Sequence, residues 1–276
     1  MIKKTTIKTI QKLKENGEKI AVLTAYDYST AKYINEAGAD IILVGDSLAN
    51  VALGYDSTQS IGMTEMLIFI GAVARGVRAS GNGNSSLIVG DMPFMSYNTS
   101  LETGIKNCGD MIKAGANAVK IEGCNDYLIT LITRLTESGI PVLGHLGFTP
   151  QSINTLGGYS VQGKTDEAVE KMLEQARSLE KAGVFALVLE MVPEDVGKYI
   201  TENISVPTIG IGAGRYCSGQ VMVSDDMLGK FSDYKPKFVR QYSDLKTTIT
   251  DAVKQYCNDV KSGNYPSSEE IFITKR

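Results

Sequence analysis

The chain has 276 residues, 43% of them hydrophobic and 21% charged, with a net charge of −3 and a single histidine. That balance excludes a disordered polyelectrolyte, and it offers no basic footprint for nucleic acid. No apolar run is long enough to span a membrane, and the lysine-rich start MIKKTTIKTIQKLK has no apolar segment behind it to act as a signal peptide.

Cys108, Cys124, Cys217 and Cys257 form no CxxC pair and show no metal-ligand spacing. They read as reduced, small apolar side chains, which predicts a cytoplasmic compartment. Cys217 is the one candidate for a reactive thiol, because it lies in a glycine-rich loop. No neighbouring sequence feature would lower its pKa, however.

The start itself predicts an amphipathic helix with Ile7, Ile10 and Leu13 on one face. A strand over Ile20–Thr24 follows. The junction NEAGADIILVGD then ends a helix at Gly38 and opens an apolar strand over 41–45. A helix over Thr64–Ala79, a strand over Leu87–Val89 and a helix over Ser100–Ala114 come next. KAGANAVKIEG places a strand at Ala118–Ile121, before a helix over Asp126–Glu137. ESGIPVLGHLG and KAGVFALVLE repeat the pattern around a helix over Asp166–Ala182. A helix over Pro193–Ile204, strands over Thr208–Ile211 and Gln220–Val223, and a C-terminal helix and tail from about Phe238 complete the chain. At the junctions, Gly38, Gly115, Gly139 and Gly183 stand where a helix needs a left-handed residue just past its end.

Strands alternating with helices call for a parallel sheet. About eight such units in this length match a single-domain (β/α)8 TIM barrel over 1–276, with an N-terminal helix and a C-terminal helical tail. An open doubly wound sheet would carry a glycine-rich turn after its first strand, and Thr24-Ala25-Tyr26-Asp27 is not one.

Active sites of this fold sit at the C-terminal ends of the strands. Five successive strands end in ionisable groups: Asp46 with Ser47, Asp91, Lys120 with Glu122, His145, and Glu190. Lys120 and Glu122 are two apart, so on a strand they point to one side. A surface ion pair would explain that pair alone; the whole set points to a site at the barrel mouth. Asp46, Asp91 and Glu122 are hard oxygen donors suited to Mg²⁺, other divalent cations also being compatible. Taken singly, each aspartate also fits a turn or a cap. Glu190 lies in the apolar setting ALVLEMVP, which should raise its pKa and suit a general base. His145 is a structural hydrogen-bonding group or a proton relay. GIGAG at 210–214 has no clear helix after it. It reads as a loop where backbone approaches a ligand, phosphate included.

The stretches TAYDYSTA (24–31), LVGDSLANVALGYDST (43–58), DMPFMSY (91–97), AGANAVKIEG (114–123) and GHLGFTPQSINTLGGYSVQGK (144–164) resemble the ketopantoate hydroxymethyltransferase family. LVLEMVP (187–193), IGIGAG (209–214), CSGQV (217–221), PKFV (236–239) and the late NYPSSEE extend the resemblance from about residue 3 to about 270. It implies transfer of a hydroxymethyl unit from methylenetetrahydrofolate to 3-methyl-2-oxobutanoate (α-ketoisovalerate). The product would be 2-dehydropantoate (ketopantoate), in the first step of pantothenate and coenzyme A synthesis. Position by position, it implies magnesium at Asp46, Asp91 and Glu122, and keto-acid contacts from Asp46, Ser47, Asp91 and Lys120. It implies Glu190 as the base and a homo-oligomer, commonly a decamer. A 2-keto acid can chelate Mg²⁺, which would stabilise an enolate as Glu190 removes a proton, with Lys120 neutralising charge.

Two departures stand out. Phe69 replaces a histidine common in relatives, and Val223-Ser224-Asp225-Asp226 replaces Val-x-His-Asp. Both lie outside the proposed metal cluster; the second lies near the late barrel loops and bears on folate-side contacts or subunit packing. A C–C lyase on another 2-keto acid is the second reading, against which the lyase cysteine motif is absent. A non-catalytic metabolite-binding barrel is the third. It would not require acid, base and lysine together.

Overall fold

Two-residue alternation along each strand decides the architecture. Positions 118, 120 and 122 belong to one face of their strand, and Val119 and Ile121 to the other, where they join the helix-facing core. The same alternation puts Ile41 and Leu43 inside and Ile42 and Val44 outside. A strand buried on both faces, as these are, needs helices over its outer side.

The computed structural model describes residues 3–81, 83–230 and 235–274, so the first two residues of the lysine-rich start lie outside it. The chain forms two compact units, 1–223 and 224–276. In the first, eight parallel strands close into a barrel among the described residues. They are β1 (Ile20–Thr24), β2 (Ile41–Val44), β3 (Leu87–Asp91), β4 (Ala118–Glu122), β5 (Val142–Gly147), β6 (Ala186–Glu190), β7 (Thr208–Ile211) and β8 (Gly219–Met222). Strand β8 pairs with both β1 and β7 and so closes the ring.

Helices α1 (Ile7–Glu15), α2 (Tyr28–Glu36), α3 (Met63–Ala79), α4 (Leu101–Ala114), α5 (Asp126–Glu137), α6 (Asp166–Lys181) and α7 (Glu194–Asn203) accompany the strands. Their starts are written in short polar residues. Asp27, Ser100, Asn125 and Thr165 each accept a hydrogen bond from the backbone N–H three residues on. Gly38, Gly115, Gly139 and Gly183 all have positive φ, as the junctions predict.

The N-terminal helix has a defined task. Ile10 is fully buried and joins the barrel-interior cluster of Ile20, Ile41, Leu87, Ala118, Leu143, Ala186 and Ile209. Lys14 Nζ donates to the carbonyls of Ile204 and Val206, at 2.8 Å each. Helix α1 thus plugs the N-terminal end of the barrel with an apolar side chain. In the second unit, helix α8 (Leu245–Ser262) starts at an Asp244 cap and ends at Gly263, with φ of 76°. It begins later than Phe238.

Candidate active site

At the other end of the strands the inward positions turn from apolar to ionic. Asp91, Lys120, Glu122, His145 and Glu190 follow Val89, Ala118, Leu143 and Val188 along their strands. Neighbouring strands place them side by side, Asp91 against Lys120 and Glu122 against His145 in register. Asp46 arrives from the turn after β2, where its backbone N–H donates to Asp91 Oδ2 at 3.0 Å. These groups line a narrow cavity of about 100 Å³, together with Thr24, Ser47 and Thr58.

Asp46, Asp91 and Glu122 are all buried and each offers an oxygen within 4.8 Å of the others. They could hold a metal ion. Lys120 Nζ stands among them, 2.9 Å from Asp91 Oδ1 and 3.2 Å from Glu122 Oε1. His145 Nδ1 is 3.3 Å from Glu122 Oε1, and His145 Nε2 is 3.3 Å from Glu190 Oε2. Neither Asp91 Oδ1 nor His145 Nε2 makes an aligned hydrogen bond. Their close approaches to Lys120 and Glu190 are contacts of charge rather than of geometry.

Charge here is unevenly compensated. Burial, then the charges of Asp91 and Glu122, push the Asp46 carboxyl well above its usual range. Burial also raises Asp91, against the pull of Lys120. Burial works against an ionised Glu122 too, but Lys120 and His145 outweigh it and bring the carboxyl down to about 2. Burial and Lys120 oppose a charged His145. Glu122 and Glu190 outweigh them and raise the imidazole to about 9. Lys120 is held charged by its three carboxylate neighbours in spite of its burial. Four carboxylates, Glu190 included, face two cationic groups, Lys120 and His145, and Asp91 Oδ1 keeps acceptor capacity. Such a donor set fits a hard divalent cation.

A profile of the ketopantoate hydroxymethyltransferase family matches residues 4–268. Proteins named 3-methyl-2-oxobutanoate hydroxymethyltransferase match nearly end to end. The one from Clostridium botulinum (strain Loch Maree / Type A3) is 50% identical over 270 residues, covering 98% of this chain and 96% of its own. The one from Thermotoga neapolitana is 51% identical over 268 residues, covering 96% and 97%. The chain belongs to the ketopantoate hydroxymethyltransferase family.

Two solved structures share the fold at lower identity. A phosphonopyruvate hydrolase complexed with oxalate and Mg²⁺ has a TM-score of 0.61 at 12% identity, covering 96% of this chain and 92% of that one. A 2,3-dimethylmalate lyase of the PEP mutase/isocitrate lyase superfamily has 0.60 at 14%, covering 97% and 92%.

For this family member, the structure gathers all the sequence-predicted site residues into one cavity: Asp46, Ser47, Asp91, Lys120, Glu122, His145 and Glu190. The surroundings of Glu190 differ from the apolar setting expected. Its side chain is 15% exposed and its carboxylate meets His145. The strand ends at Glu190, Met191 next adopts φ of 47°, a strained left-handed conformation, and Val192 joins the helix-facing core.

Two of the GIGAG glycines lie against the chain itself. Gly210 backs onto Cys217 and Gln220, and Gly214 onto Glu194; only Ile211 of this run reaches the cavity. Cys217 is buried, and burial pushes its thiol up, the opposite of the setting that activates a nucleophile. Phe69 packs against the helix-facing core, and Val223 lines the cavity.

Sequence reasoning missed Gln151 and Tyr97. The Gln151 backbone N–H donates to Glu122 Oε2 at 3.1 Å, and its Nε2 donates to Asp46 Oδ2 at 3.0 Å. Tyr97 OH, a phenol that burial keeps protonated, donates to Gln151 Oε1 at 3.0 Å. Gln151 therefore holds two of the three carboxylates in place. The available signal was Thr-Pro-Gln. A proline opening the short 3-10 turn Pro150–Ser152 leaves the next N–H without a partner in the turn.

Proposed function

We propose that this chain transfers a hydroxymethyl unit from methylenetetrahydrofolate to 3-methyl-2-oxobutanoate, giving 2-dehydropantoate. The observation that carries the reading is the buried trio of Asp46, Asp91 and Glu122 beside Lys120, with His145 and Glu190 on the next two strands. Family membership supports the same substrates.

Asp46, Asp91 and Glu122 would hold a divalent cation, Mg²⁺ by its preference for oxygen donors. When bound, it would supply Lewis-acid polarisation of the keto oxygen. Lys120 carries a fixed positive charge into a water-poor cavity, where it counters negative charge growing on the substrate. The hydroxyl of Ser47, hydrogen-bonded to Tyr26 OH at 2.8 Å, gives the keto acid a polar contact. His145 Nε2 lies 3.3 Å from Glu190 Oε2 and holds the carboxylate at the cavity by charge, where Glu190 takes the C3 proton. The carbanionic C3 then takes up the one-carbon unit; the C–N bonds to the folate break, water supplies the oxygen of the new hydroxyl, and tetrahydrofolate leaves. No Ser–His–Asp or Cys–His nucleophile is needed for this chemistry.

The substitution Glu190→Gln tests the assignment of the base. It should retain keto-acid binding and slow C3 hydrogen exchange about 100-fold or more. Exchange at the wild-type rate would move the base to another group. The same proposal carries a cytoplasmic location and a homo-oligomer, a decamer by family resemblance. Light scattering on the purified protein reads the latter. No helix among the described residues is long and apolar enough to cross a membrane.

A further inference from the structure

A second, wider cavity opens beside the first, with a volume of about 460 Å³ against about 100 Å³. Thr58 and Pro150 line both, so occupants of the two would meet across that shared wall. The larger volume lies in the range of sites for cofactor-sized ligands, roughly 300–1,000 Å³.

Its chemistry is unlike that of the mouth. The lining contains no lysine, arginine or histidine, which argues against a phosphate or a second keto acid. Asp56 is exposed and has no ion-pair or hydrogen-bond partner among the described residues. A carboxylate so placed accepts two parallel N–H donors, the pairing that an amidine-like ring edge provides. Beside it stand the side-chain amides of Asn154 and Gln59, joined by a hydrogen bond of 3.3 Å. Ile153 and Tyr159 supply apolar surface. The Tyr159 ring is braced on buried Phe148, with centroids 4.9 Å apart. Gly157 and Gly158 have positive φ, and an added Cβ on either would meet nothing within 4 Å, so this loop leaves the space open.

The two cavities also share a hydrogen-bonded frame. Gln59 Nε2 donates to the Gln151 carbonyl at 2.7 Å, and Gln151 in turn holds Asp46 and Glu122. A ligand fixed by Asp56 and Gln59 would be held in register with the carboxylates of the first cavity.

We propose that the second cavity binds the pterin head of the one-carbon donor, with Asp56 accepting from its aminopyrimidine edge and Tyr159 covering a ring face. This rests on the reading of the first cavity as the keto-acid site. A flat, neutral heterocycle with an N–H donor edge satisfies every feature of the lining, and its one-carbon unit would face Thr58 and Pro150.

The test titrates tetrahydrofolate, which lacks the transferable carbon, into the wild-type protein and into Asp56→Asn and Tyr159→Ala, following binding by calorimetry. Both positions are exposed, and melting curves check that each variant is folded. Asp56→Asn should weaken binding about 10-fold or more through loss of a charged acceptor. Tyr159→Ala should weaken it about 5-fold through loss of a stacking face. No tetrahydrofolate binding by the wild type, or unchanged affinity in both variants, overturns the assignment. Donor-free C3 hydrogen exchange in the wild type reads the first cavity separately. If exchange is absent while tetrahydrofolate binds and both variants bind it more weakly, the keto-acid reading has failed and the second site stands.

Discussion

The same eight strands build two different interiors. Near their starts, Ile20, Ile41, Leu87, Ala118, Leu143, Ala186 and Ile209 pack around Ile10 with no polar group among them. Near their ends, Asp91, Lys120, Glu122, His145 and Glu190 take the inward positions, joined by Asp46. Each buried Ile or Leu side chain in the first set contributes roughly 1.5–3 kcal/mol to folding. The ionic set has to overcome several kcal/mol of desolvation per charge before any attraction counts. Strand geometry is equal at the two ends, so the difference is one of purpose. The apolar end holds the barrel closed, and the ionic end keeps charges out of water for a ligand to use.

Substitution at each end separates these purposes. The largest effect is expected from Lys120→Met. It leaves Asp46, Asp91 and Glu122 facing one another with only the His145 imidazolium beside Glu122, and should lower unfolding stability by about 3–5 kcal/mol in chelator. Added Mg²⁺ should recover part of that loss by binding the folded state. Denaturant titrations with and without Mg²⁺ would contradict this by showing equal losses.

Ile41→Ala, at the apolar end, should cost about 2–5 kcal/mol of stability. The turnover of molecules that remain folded should be unchanged. A fall in turnover at full folding would mean that the two ends are coupled.

The smallest effect concerns pH and lies near α1, away from the mouth. Burial works against an ionised Glu180, but hydrogen bonds from Ser205 and Val206 and the charge of Lys14 outweigh it and lower its pKa. A carboxyl lowered in the folded state lends stability above its unfolded pKa and loses it as pH falls through the folded value. Glu180→Gln should therefore make stability slightly less dependent on pH on the acid side. Urea midpoints at neutral and acid pH would show a matching slope for both proteins if this contact had no role.

Much of this division can be read from residue order. The period of two puts Lys120 and Glu122 on one side of β4, and the apolar strand–Gly–Asp pattern marks Asp46 and Asp91. Ile7, Ile10 and Leu13 foretell the plug. What periodicity does not carry is the contribution of loops. Gln151 reaches Asp46 and Glu122 from a short turn far along the chain, and Tyr97 reaches Gln151 from another. Their reach depends on turn geometry, which apolar spacing does not encode. Glu190 shows a second limit. Its sequence neighbours are apolar, yet its neighbour in space is His145 on the adjoining strand. Gly210 and Gly214 show a third, since close approach by another part of the chain demands glycine as strongly as a ligand does.

Hydrogen exchange at C3 of 3-methyl-2-oxobutanoate, followed by NMR in deuterated water without folate, tests the central claim most directly. The trio at the mouth should make exchange depend on a divalent cation: absent in chelator, restored by Mg²⁺, and absent in Asp91→Asn under both conditions. Exchange that continues in chelator, or that Mg²⁺ fails to elicit from the folded wild-type protein, would contradict the account.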